Sequence, residues 1–269
     1  MTKTQVISPT ARAIDRANSQ GRAALIAYLP VGYPSLASSI EAACGLIESG
    51  VNILELGLPY SDPVMDGPVI ERAVTAALAA GFKVGHLFEA IETIGAMAPP
   101  GVPLLVMSYY NPILRRGVRR FALELAHAGA AGLVTPDLIV DEADPWIDES
   151  DRYGLDRVFL VAPSSSDQRL MRTVAACRGF TYAASTMGVT GRRQSLSKAA
   201  AVLAGRARQA GAKRVCVGLG VSTPEQAAQV ASFADGVIVG SAFVARLNGG
   251  EQSGAIDELA RDLVQAVQR

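Results

Sequence analysis

Two carboxylates in one short segment are the best candidates for acid and base groups in this chain. Glu55 stands in the run from Val51 to Leu58, which is otherwise apolar apart from Asn52, and Asp66 follows in a loop rich in proline. A charge in such a run is costly unless it is paired or faces a cavity, so Glu55 needs a role. Proline fixes φ and would hold Asp66 in place at little entropic cost. We interpret the two side chains as acid and base groups held over a bound molecule.

The same loop has a plainer interpretation. Asp62 would cap the helix that is predicted to begin near 68–70, and Ser61 and Asp62 would then belong to a surface turn. For Asp62 both interpretations stay open. A surface turn leaves Glu55 unexplained, which favours the catalytic interpretation for Glu55 and Asp66.

The elements that must position these groups follow an alternating pattern along the chain. Apolar segments of strand type, rich in Val, Ile and Leu, alternate with segments of helical period, which is typical of βα units around a parallel sheet. We predict eight strands, at 24–31, 52–58, 103–109, 132–136, 157–162, 180–185, 214–220 and 236–239. Predicted helices lie at 8–20, 36–49, 84–97, 119–128, 168–178, 198–209, 224–233, 242–247 and 256–267.

Eight strand–helix units in 269 residues predict a closed (β/α)₈ TIM barrel. An open doubly wound sheet has fewer strands in most cases and a glycine fingerprint after its first strand, and no such fingerprint follows 24–31. We expect a single α/β domain over 1–269. The extra helix at 8–20 is predicted to cover the bottom of the barrel.

Side chains at the C-terminal ends of barrel strands form the active site in this fold. Apolar and aromatic residues near the predicted strand ends are therefore candidate walls of a substrate pocket, although each could equally pack in the core. These wall candidates are Tyr28, Met107, Tyr109, Tyr182, Leu219 and Ile238.

Glycines after the last three strands form a candidate phosphate site. Glycine lets backbone N–H groups approach a phosphate closely, and the helix predicted after Ser241 would place its N-terminus there. Ordinary tight turns are the alternative. The residues of this candidate site are Thr190, Gly191, Gly218, Gly220, Gly240 and Ser241.

Composition and missing groups exclude several kinds of chemistry. Lysine plus arginine and aspartate plus glutamate number 25 each, and no basic stripe is present, so nucleic-acid binding is not expected. No lysine falls at the top of a strand, which argues against a Schiff base. His86 and His127 lie in predicted helices, where capping or solvated roles are expected.

No metal site and no membrane span are expected either. Cys44, Cys177 and Cys216 are odd in number and far apart, so we predict small buried apolar residues rather than a disulfide framework or a metal site. No apolar run reaches the roughly 18 residues that a membrane span requires, and 1–22 lacks the apolar core of a signal peptide. We predict a cytoplasmic protein that acts on a small molecule.

Six motifs together give the chain a resemblance to a known family. The segment 55–68 carries Glu-Leu-Gly-Leu-Pro-Tyr-Ser-Asp-Pro and then Asp-Gly-Pro, and it resembles the second-strand motif of the tryptophan synthase α subunits. The supporting matches lie at 109–112, 135–138, 187–191, 217–222 and 235–241. The resemblance runs nearly end to end.

The resemblance implies the retro-aldol cleavage of indole-3-glycerol phosphate to indole and glyceraldehyde 3-phosphate. Glu55 would protonate C3 of the indole and accept the proton of the glycerol hydroxyl, while Asp66 would hold the indole N–H. Tyr182 would align the glycerol chain or Glu55. The phosphate would bind at the glycines 191, 220 and 240 and at Ser241.

The resemblance also implies a partner, a β subunit that carries pyridoxal phosphate, in an α₂β₂ complex. The β subunit would receive the indole through a tunnel, and this chain itself would bind no cofactor. The loop that bears Asp66 and the segment 186–196 would move on ligand binding, and Arg192 and Arg193 would contact phosphate or partner, or only solvent. Tyr28, Tyr60 and Leu219 stand where phenylalanine is frequent in the family, and Ile139 where proline is.

Two other functions stay open at this point. The chain could be another phosphate-binding barrel, such as a sugar-phosphate isomerase or epimerase, which would keep the glycines without needing the proline-braced loop. It could also be a noncatalytic regulatory subunit that binds phosphates. Glu55 and Asp66 argue against the regulatory interpretation.

Overall fold

Eight parallel strands pair in chain order, and the last pairs with the first, in a computed structural model that describes residues 8–184, 193–218, 220–247 and 254–269. For 193–197 the backbone alone is described. The strands are β1 Ala24–Pro30, β2 Ile53–Gly57, β3 Leu104–Met107, β4 Gly132–Thr135, β5 Asp156–Val161, β6 Thr181–Ala184, β7 Val215–Gly218 and β8 Gly236–Val239. The predicted closed (β/α)₈ barrel is confirmed.

Helices follow the strands around the outside of the barrel. They are α1 Pro9–Ser19, α2 Leu36–Glu48, α3 Pro68–Ala79, α4 Val84–Met97, α5 Tyr110–Arg116, α6 Val118–Ala128, α7 Asp144–Tyr153, α8 Asp167–Ala176, α9 Arg193–Gln209, α10 Pro224–Ala231, α11 Ser241–Leu247 and α12 Gly254–Ala266, with a 3₁₀ turn at Val140–Glu142. Several begin at a side-chain cap. Ser35 and Ser166 accept hydrogen bonds from the amides of Ser38 and Arg169, and Thr223 caps α10 ahead of Pro224.

The strands are apolar on both faces because each face packs against a different core. Residues that point outward join the helices in the larger core, which includes Leu54, Leu56 and Val106. Residues that point inward fill the barrel, such as Ile26 and Ile53. Since side chains alternate along a strand, this parity fixes which residues can reach an interior cavity.

The N-terminal helix α1 closes the bottom of the barrel, as predicted. Ala13, Ile14 and Ala17 pack into the inner core rather than the outer one. Ser8 caps this helix by accepting a hydrogen bond from the amide of Ala11 at 2.9 Å. The lower end of the barrel is therefore sealed, and the strands open at their C-terminal ends.

The observed elements differ from the predicted ones mainly at their ends. The predicted strands are one to three residues too long, except 236–239, which matches β8, and the fifth, which begins one residue earlier, at Asp156. Helix α9 begins at Arg193, five residues before the predicted start. Helices α5 and α7 have no counterpart in the prediction. Their segments are short and rich in polar or turn-forming residues, and they fold as helices where Ile113 and Trp146 bury their side chains.

No single helix in the described ranges is long and apolar enough to cross a membrane. The helices α3 and α4 reach the required length and composition only when they are taken together, and they meet at 107°.

Candidate active site

Glu55 faces the interior of the barrel near its open end. It lies on β2 between Tyr28 of β1 and Leu105 of β3 in the strand register, and only 1% of its surface is exposed. Within the described residues, its Oε2 atom has no hydrogen-bond partner. Burial raises the pKa of this carboxyl from 4.5 to about 8, so it holds a proton at neutral pH. A neutral buried carboxyl is suited to act as a general acid.

Asp66 reaches the same cavity from the loop between β2 and α3. Its Oδ1 accepts a hydrogen bond from the Tyr109 hydroxyl at 3.2 Å. Desolvation raises the pKa of Asp66, and the hydrogen bond from Tyr109 opposes that rise. The carboxylate is thus held toward the barrel rather than turned into solvent.

The alternative role of Asp62 as a helix cap is wrong. Helix α3 begins after Gly67, whose missing side chain makes no capping hydrogen bond. Asp62 is exposed and accepts a hydrogen bond from the hydroxyl of its neighbour Ser61 at 2.5 Å. Pro68 in the first turn supplies the helix start instead, because its ring sets φ and its missing N–H is not needed there.

A cavity of about 320 Å³ joins the two carboxylates. Its size lies in the range of roughly 300–1,000 Å³ that is usual for small-molecule sites, and apolar side chains line most of it. The lining residues are Tyr28, Glu55, Met65, Asp66, Gly67, Ile70, Met107, Val134, Pro136, Leu160, Tyr182, Gly220, Val221, Ile238, Gly240 and Ser241. An apolar chamber with a few polar groups fits a ligand with a large apolar part.

The glycines after β7 and β8 line the same cavity as Glu55 and Asp66, and β1 alone separates β8 from β2. Gly220 has φ +98°, a conformation that side chains disfavour, and it lines the cavity together with Gly240 and Ser241. Gly240 also lies against Tyr28, because a β-carbon there would be 3.1 Å from Tyr28 Cδ1. Missing side chains therefore leave room for a ligand at this end.

Two predicted binding residues have other positions than expected. Gly218 does not line the cavity but lies behind Tyr182, where a β-carbon would come within 2.6 Å of the Tyr182 Cζ atom. Tyr109 is also set back from the cavity and acts on it through Asp66. Both residues position a neighbour rather than face the ligand space.

Three predicted binding residues, Thr190, Gly191 and Leu219, lie outside the described residues, as does Arg192. Of the segment 186–196, which was predicted to be mobile, residues 186–192 also lie outside the described residues, and residues 193–196 belong to α9.

The prediction from sequence missed several walls of the cavity. Val134 and Leu160 point inward from β4 and β5, and Met65 and Ile70 come from the loop and the first turn of α3. Val134 and Leu160 could have been predicted from the alternation of side chains along a strand, since each occupies an inward position of its strand. Met65 and Ile70 depend on how the loop folds back over the barrel, which no local pattern reveals.

Neither the histidines nor the cysteines line the cavity. The Nδ1 atom of His86 accepts a hydrogen bond from the Lys83 amide at the start of α4, and His127 lies in the last turn of α6. The three cysteines are free, but only Cys216 is fully buried, so the prediction of three buried thiols is wrong for Cys44 and Cys177. Among the described residues, no three His, Cys, Asp or Glu side chains form a group that could hold a metal ion.

The fold and this cavity define a (β/α)₈-barrel enzyme whose active-site candidates are carboxylates. The family model described as tryptophan synthase alpha chain matches residues 14–268. The tryptophan synthase alpha chain of Mycobacteroides abscessus is 53% identical over 255 residues, which is 95% of each chain. That of Leifsonia xyli subsp. xyli is 51% identical over 262 residues, covering 96% of this chain and 100% of the relative.

Solved structures give the same result. A tryptophan synthase chain from M. tuberculosis in its aminoacrylate-bound form has a TM-score of 0.89 and 47% identity, over 97% of this chain and 100% of that one. A second M. tuberculosis structure, in space group F222, has a TM-score of 0.91 and 50% identity, over 97% and 99% of the two chains. The chain belongs to the tryptophan synthase alpha chain family. It is a lyase of tryptophan biosynthesis that cleaves indole-3-glycerol phosphate.

Proposed function

We propose that Glu55 and Asp66 carry out the acid–base chemistry of this cleavage in the present chain. The observation that supports it most is the burial of Glu55, which lines a cavity together with Asp66 and whose Oε2 has no hydrogen-bond partner among the described residues. A buried carboxyl without a hydrogen-bond partner destabilises the fold. Its presence at a cavity therefore points to a functional role.

The first step is a proton transfer from Glu55 to C3 of the indole ring. Indole is a poor leaving group until C3 carries a proton. Because its pKa is raised, Glu55 is protonated at neutral pH and can donate that proton. Protonation leaves positive charge on the ring nitrogen. The Asp66 carboxylate accepts a hydrogen bond from the ring N–H and stabilises this charge.

The second step breaks the bond between C3 and the first carbon of the glycerol chain. Glu55, now a carboxylate, accepts the proton of the hydroxyl on that carbon. The oxygen then forms the aldehyde of glyceraldehyde 3-phosphate, and the electron pair of the broken bond returns to the ring as indole. Glu55 ends the cycle protonated, so it needs no other group to reset it.

The remaining groups of the cavity orient the substrate in this proposal. The phosphate lies at Gly220, Gly240 and Ser241, together with Gly191 as the family resemblance implies, and Thr190 stays a candidate from its place in the sequence. Tyr182 lies on β6 and lines the same cavity as the carboxylates and the glycines, and in this proposal it aligns the glycerol chain. Apolar walls such as Met107 and Ile238 enclose the indole.

We also propose that a β subunit with pyridoxal phosphate docks over the open end of the barrel in an α₂β₂ complex. Large apolar side chains are exposed on loops and helices at this end, including Val64 at 76%, Leu114 at 53% and Ile139 at 41%. Exposed apolar groups clustered around a cavity mouth favour a protein partner there. We also propose, from the sequence alone, that the protein is cytoplasmic and consists of a single domain.

The experiment measures indole release from indole-3-glycerol phosphate, with and without the β subunit. Replacing either carboxylate by its amide, in Glu55→Gln and Asp66→Asn, lowers kcat/KM by roughly 10²–10⁴-fold while ligand binding persists. Glu92→Gln and Asp148→Asn are matched controls on the exposed surface. Normal turnover by both active-site variants rejects the assigned roles, and no indole even with the β subunit rejects cleavage by this chain.

A further inference from the structure

Tyr28 has a hydroxyl for which the acid–base steps have no use. The residue lies on β1 opposite Glu55, lines the cavity and is 6% exposed. Its ring spans the cavity wall between two glycines. A β-carbon at Gly240 would lie 3.1 Å from Tyr28 Cδ1, and one at Gly57 would lie 2.7 Å from Tyr28 Cζ. The ring thus begins at the phosphate end, and its tip ends over β2.

The tip of the ring lies near both carboxylates. Gly57 is two residues beyond Glu55 and therefore shares its inward face of β2. Burial raises the pKa of Tyr28 well above its usual value, and the charges of Asp66 and Glu55 raise it further. The hydroxyl therefore stays protonated at any working pH and can act only as a neutral donor or acceptor.

The described part of the chain provides no acceptor for this donor. The Tyr28 hydroxyl donates no hydrogen bond to any of the residues that the structure describes. A hydroxyl on a largely buried ring needs a hydrogen-bond partner, either from the protein or from whatever fills the adjoining cavity. The missing side chain at Gly57 makes the room that the tip of the ring requires. The position is thus built for a hydroxyl whose partner comes from the cavity.

We propose that Tyr28 determines substrate specificity by donating a hydrogen bond from its hydroxyl to a hydroxyl oxygen of the substrate's glycerol chain. This inference rests on the proposed function. The chain must run from the phosphate at Gly240 to the carbon that Glu55 acts on, and the Tyr28 ring lies along that path.

The partner atom follows from the chemistry of the ligand. The indole ring offers only an N–H donor, which is assigned to Asp66, and the phosphate lies at the other end of the Tyr28 ring. The chain hydroxyls are the acceptors left for the tip of the ring. A substrate hydroxyl that accepts from Tyr28 keeps its own proton free for Glu55, so the contact is compatible with the cleavage step. A site with such a donor discriminates against a ligand without the hydroxyl, because its buried donor then stays unpaired.

A pair of ligands isolates this contact. Indole-3-glycerol phosphate has the chain hydroxyls, and indole-3-propanol phosphate has the same ring, chain length and phosphate without them. Binding is measured in the Glu55→Gln background, where the first ligand is not consumed. Adding Tyr28→Phe weakens binding of the glycerol ligand by about three- to tenfold and leaves the propanol ligand within about twofold. Tyr153→Phe, on the outer helix α7, changes neither affinity.

The possible results separate the two proposals. Equal losses for both ligands, or no loss for either, overturn the inference, because the Tyr28 hydroxyl then does not recognise the chain. Failure of both ligands to bind while Tyr28 is present overturns the proposed function instead. In the otherwise unchanged enzyme, Tyr28→Phe is expected to raise KM for indole-3-glycerol phosphate more than it lowers kcat, and circular dichroism shows whether the fold is retained.

Discussion

The Tyr109 hydroxyl bridges two consecutive residues of the loop after β2. It accepts a hydrogen bond from the Met65 amide at 3.0 Å and donates one to the Asp66 carboxylate at 3.2 Å. The Tyr60 ring, from the same loop, lies 5.4 Å from the Tyr109 ring, and the Tyr60 hydroxyl accepts a hydrogen bond from Asn111. The end of β3 thus holds the loop of β2, and Asp66 takes its direction from a neighbouring strand.

Removing this bridge should weaken catalysis through Asp66. We expect Tyr109→Phe to lower kcat/KM for indole production by about 3- to 30-fold, since one hydrogen bond to a charged group is lost. The same bond lowers the pKa of Asp66. Its loss raises that pKa, so the acid limb of the pH–rate profile moves to higher pH. Steady-state kinetics between pH 5 and 8 measure both effects.

Tyr153→Phe serves as the control for this experiment, because it removes a phenol hydroxyl from α7, outside the cavity. A Tyr109→Phe enzyme with reduced activity but an unmoved acid limb would contradict a role through the Asp66 carboxylate.

The pKa of Glu55 predicts how activity depends on pH. The first step needs Glu55 protonated, and its pKa is about 8 in the free protein. We therefore expect kcat/KM to fall as pH rises through about 8, because the acid form is lost. At low pH the rate falls as Asp66, whose own pKa is raised from 3.8, becomes protonated. A profile that is flat from pH 7 to 10 would exclude Glu55 as the acid.

The same carboxyl should make stability depend on pH. The folded protein holds a proton on Glu55 up to about pH 8, whereas the unfolded chain releases it near 4.5. Between these values the folded state binds more protons, so its stability falls as pH rises. Glu55→Gln removes this loss, and we expect it to be more stable than the parent by roughly 2–5 kcal/mol at pH 8.5 and nearly equal at pH 4.

Urea unfolding at the two pH values measures this difference, and Glu92→Gln, which replaces an exposed carboxylate of α4, is the control. A stability gain that is equal at both pH values would show that the charge of Glu55 is not its cause.

Much of the fold was predictable because its signals are local. Strands buried on both faces are continuously apolar, and eight of them in alternation with helices leave few architectures. Glu55 stood out for the same reason, as a charge in an apolar strand. Helix α7 was missed because half of its residues are charged, and its stability depends on the burial of side chains such as Trp146 in the core.

The functional partners of the cavity were harder to predict, because they depend on contacts between strands. Gly218 was assigned to the ligand as a glycine at a strand end. In the structure it lies against the Tyr182 ring on β6, a contact that the sequence does not reveal. Asp62 and Asp66 are carboxylates of the same loop, and the structure distinguishes them because Asp66 accepts a hydrogen bond from Tyr109 and lines the cavity, whereas Asp62 is exposed.

The contact of Gly218 with Tyr182 gives a steric prediction. A β-carbon at Gly218 would lie 2.6 Å from Tyr182 Cζ, so Gly218→Ala pushes the ring into the cavity. We expect kcat/KM to fall by about tenfold or more. Gly205→Ala is the matched control, since Gly205 lies within α9 with no atom near its β-carbon position, and it should stabilise the helix by roughly 0.5–1 kcal/mol. Full activity of Gly218→Ala would contradict this prediction, because it would show that the Tyr182 ring can move aside without disturbing the active site.

A last prediction separates stability from activity at the closed end of the barrel. Asp156 is fully buried at the start of β5, and its Oδ2 accepts hydrogen bonds from the Ser8 hydroxyl at 2.7 Å and the Thr10 amide at 3.2 Å. These bonds attach α1 to the barrel. Asp156→Ala should lower the free energy of unfolding by roughly 2–4 kcal/mol, because hydrogen bonds to a buried carboxylate are lost. Since the catalytic candidates lie at the other end of the strands, kcat/KM at 20 °C should stay within about twofold of the parent. Urea unfolding and indole release on the same preparation test this, with Asp148→Asn as the exposed control. A large loss of activity without a loss of stability would instead show that the two ends of the barrel are coupled.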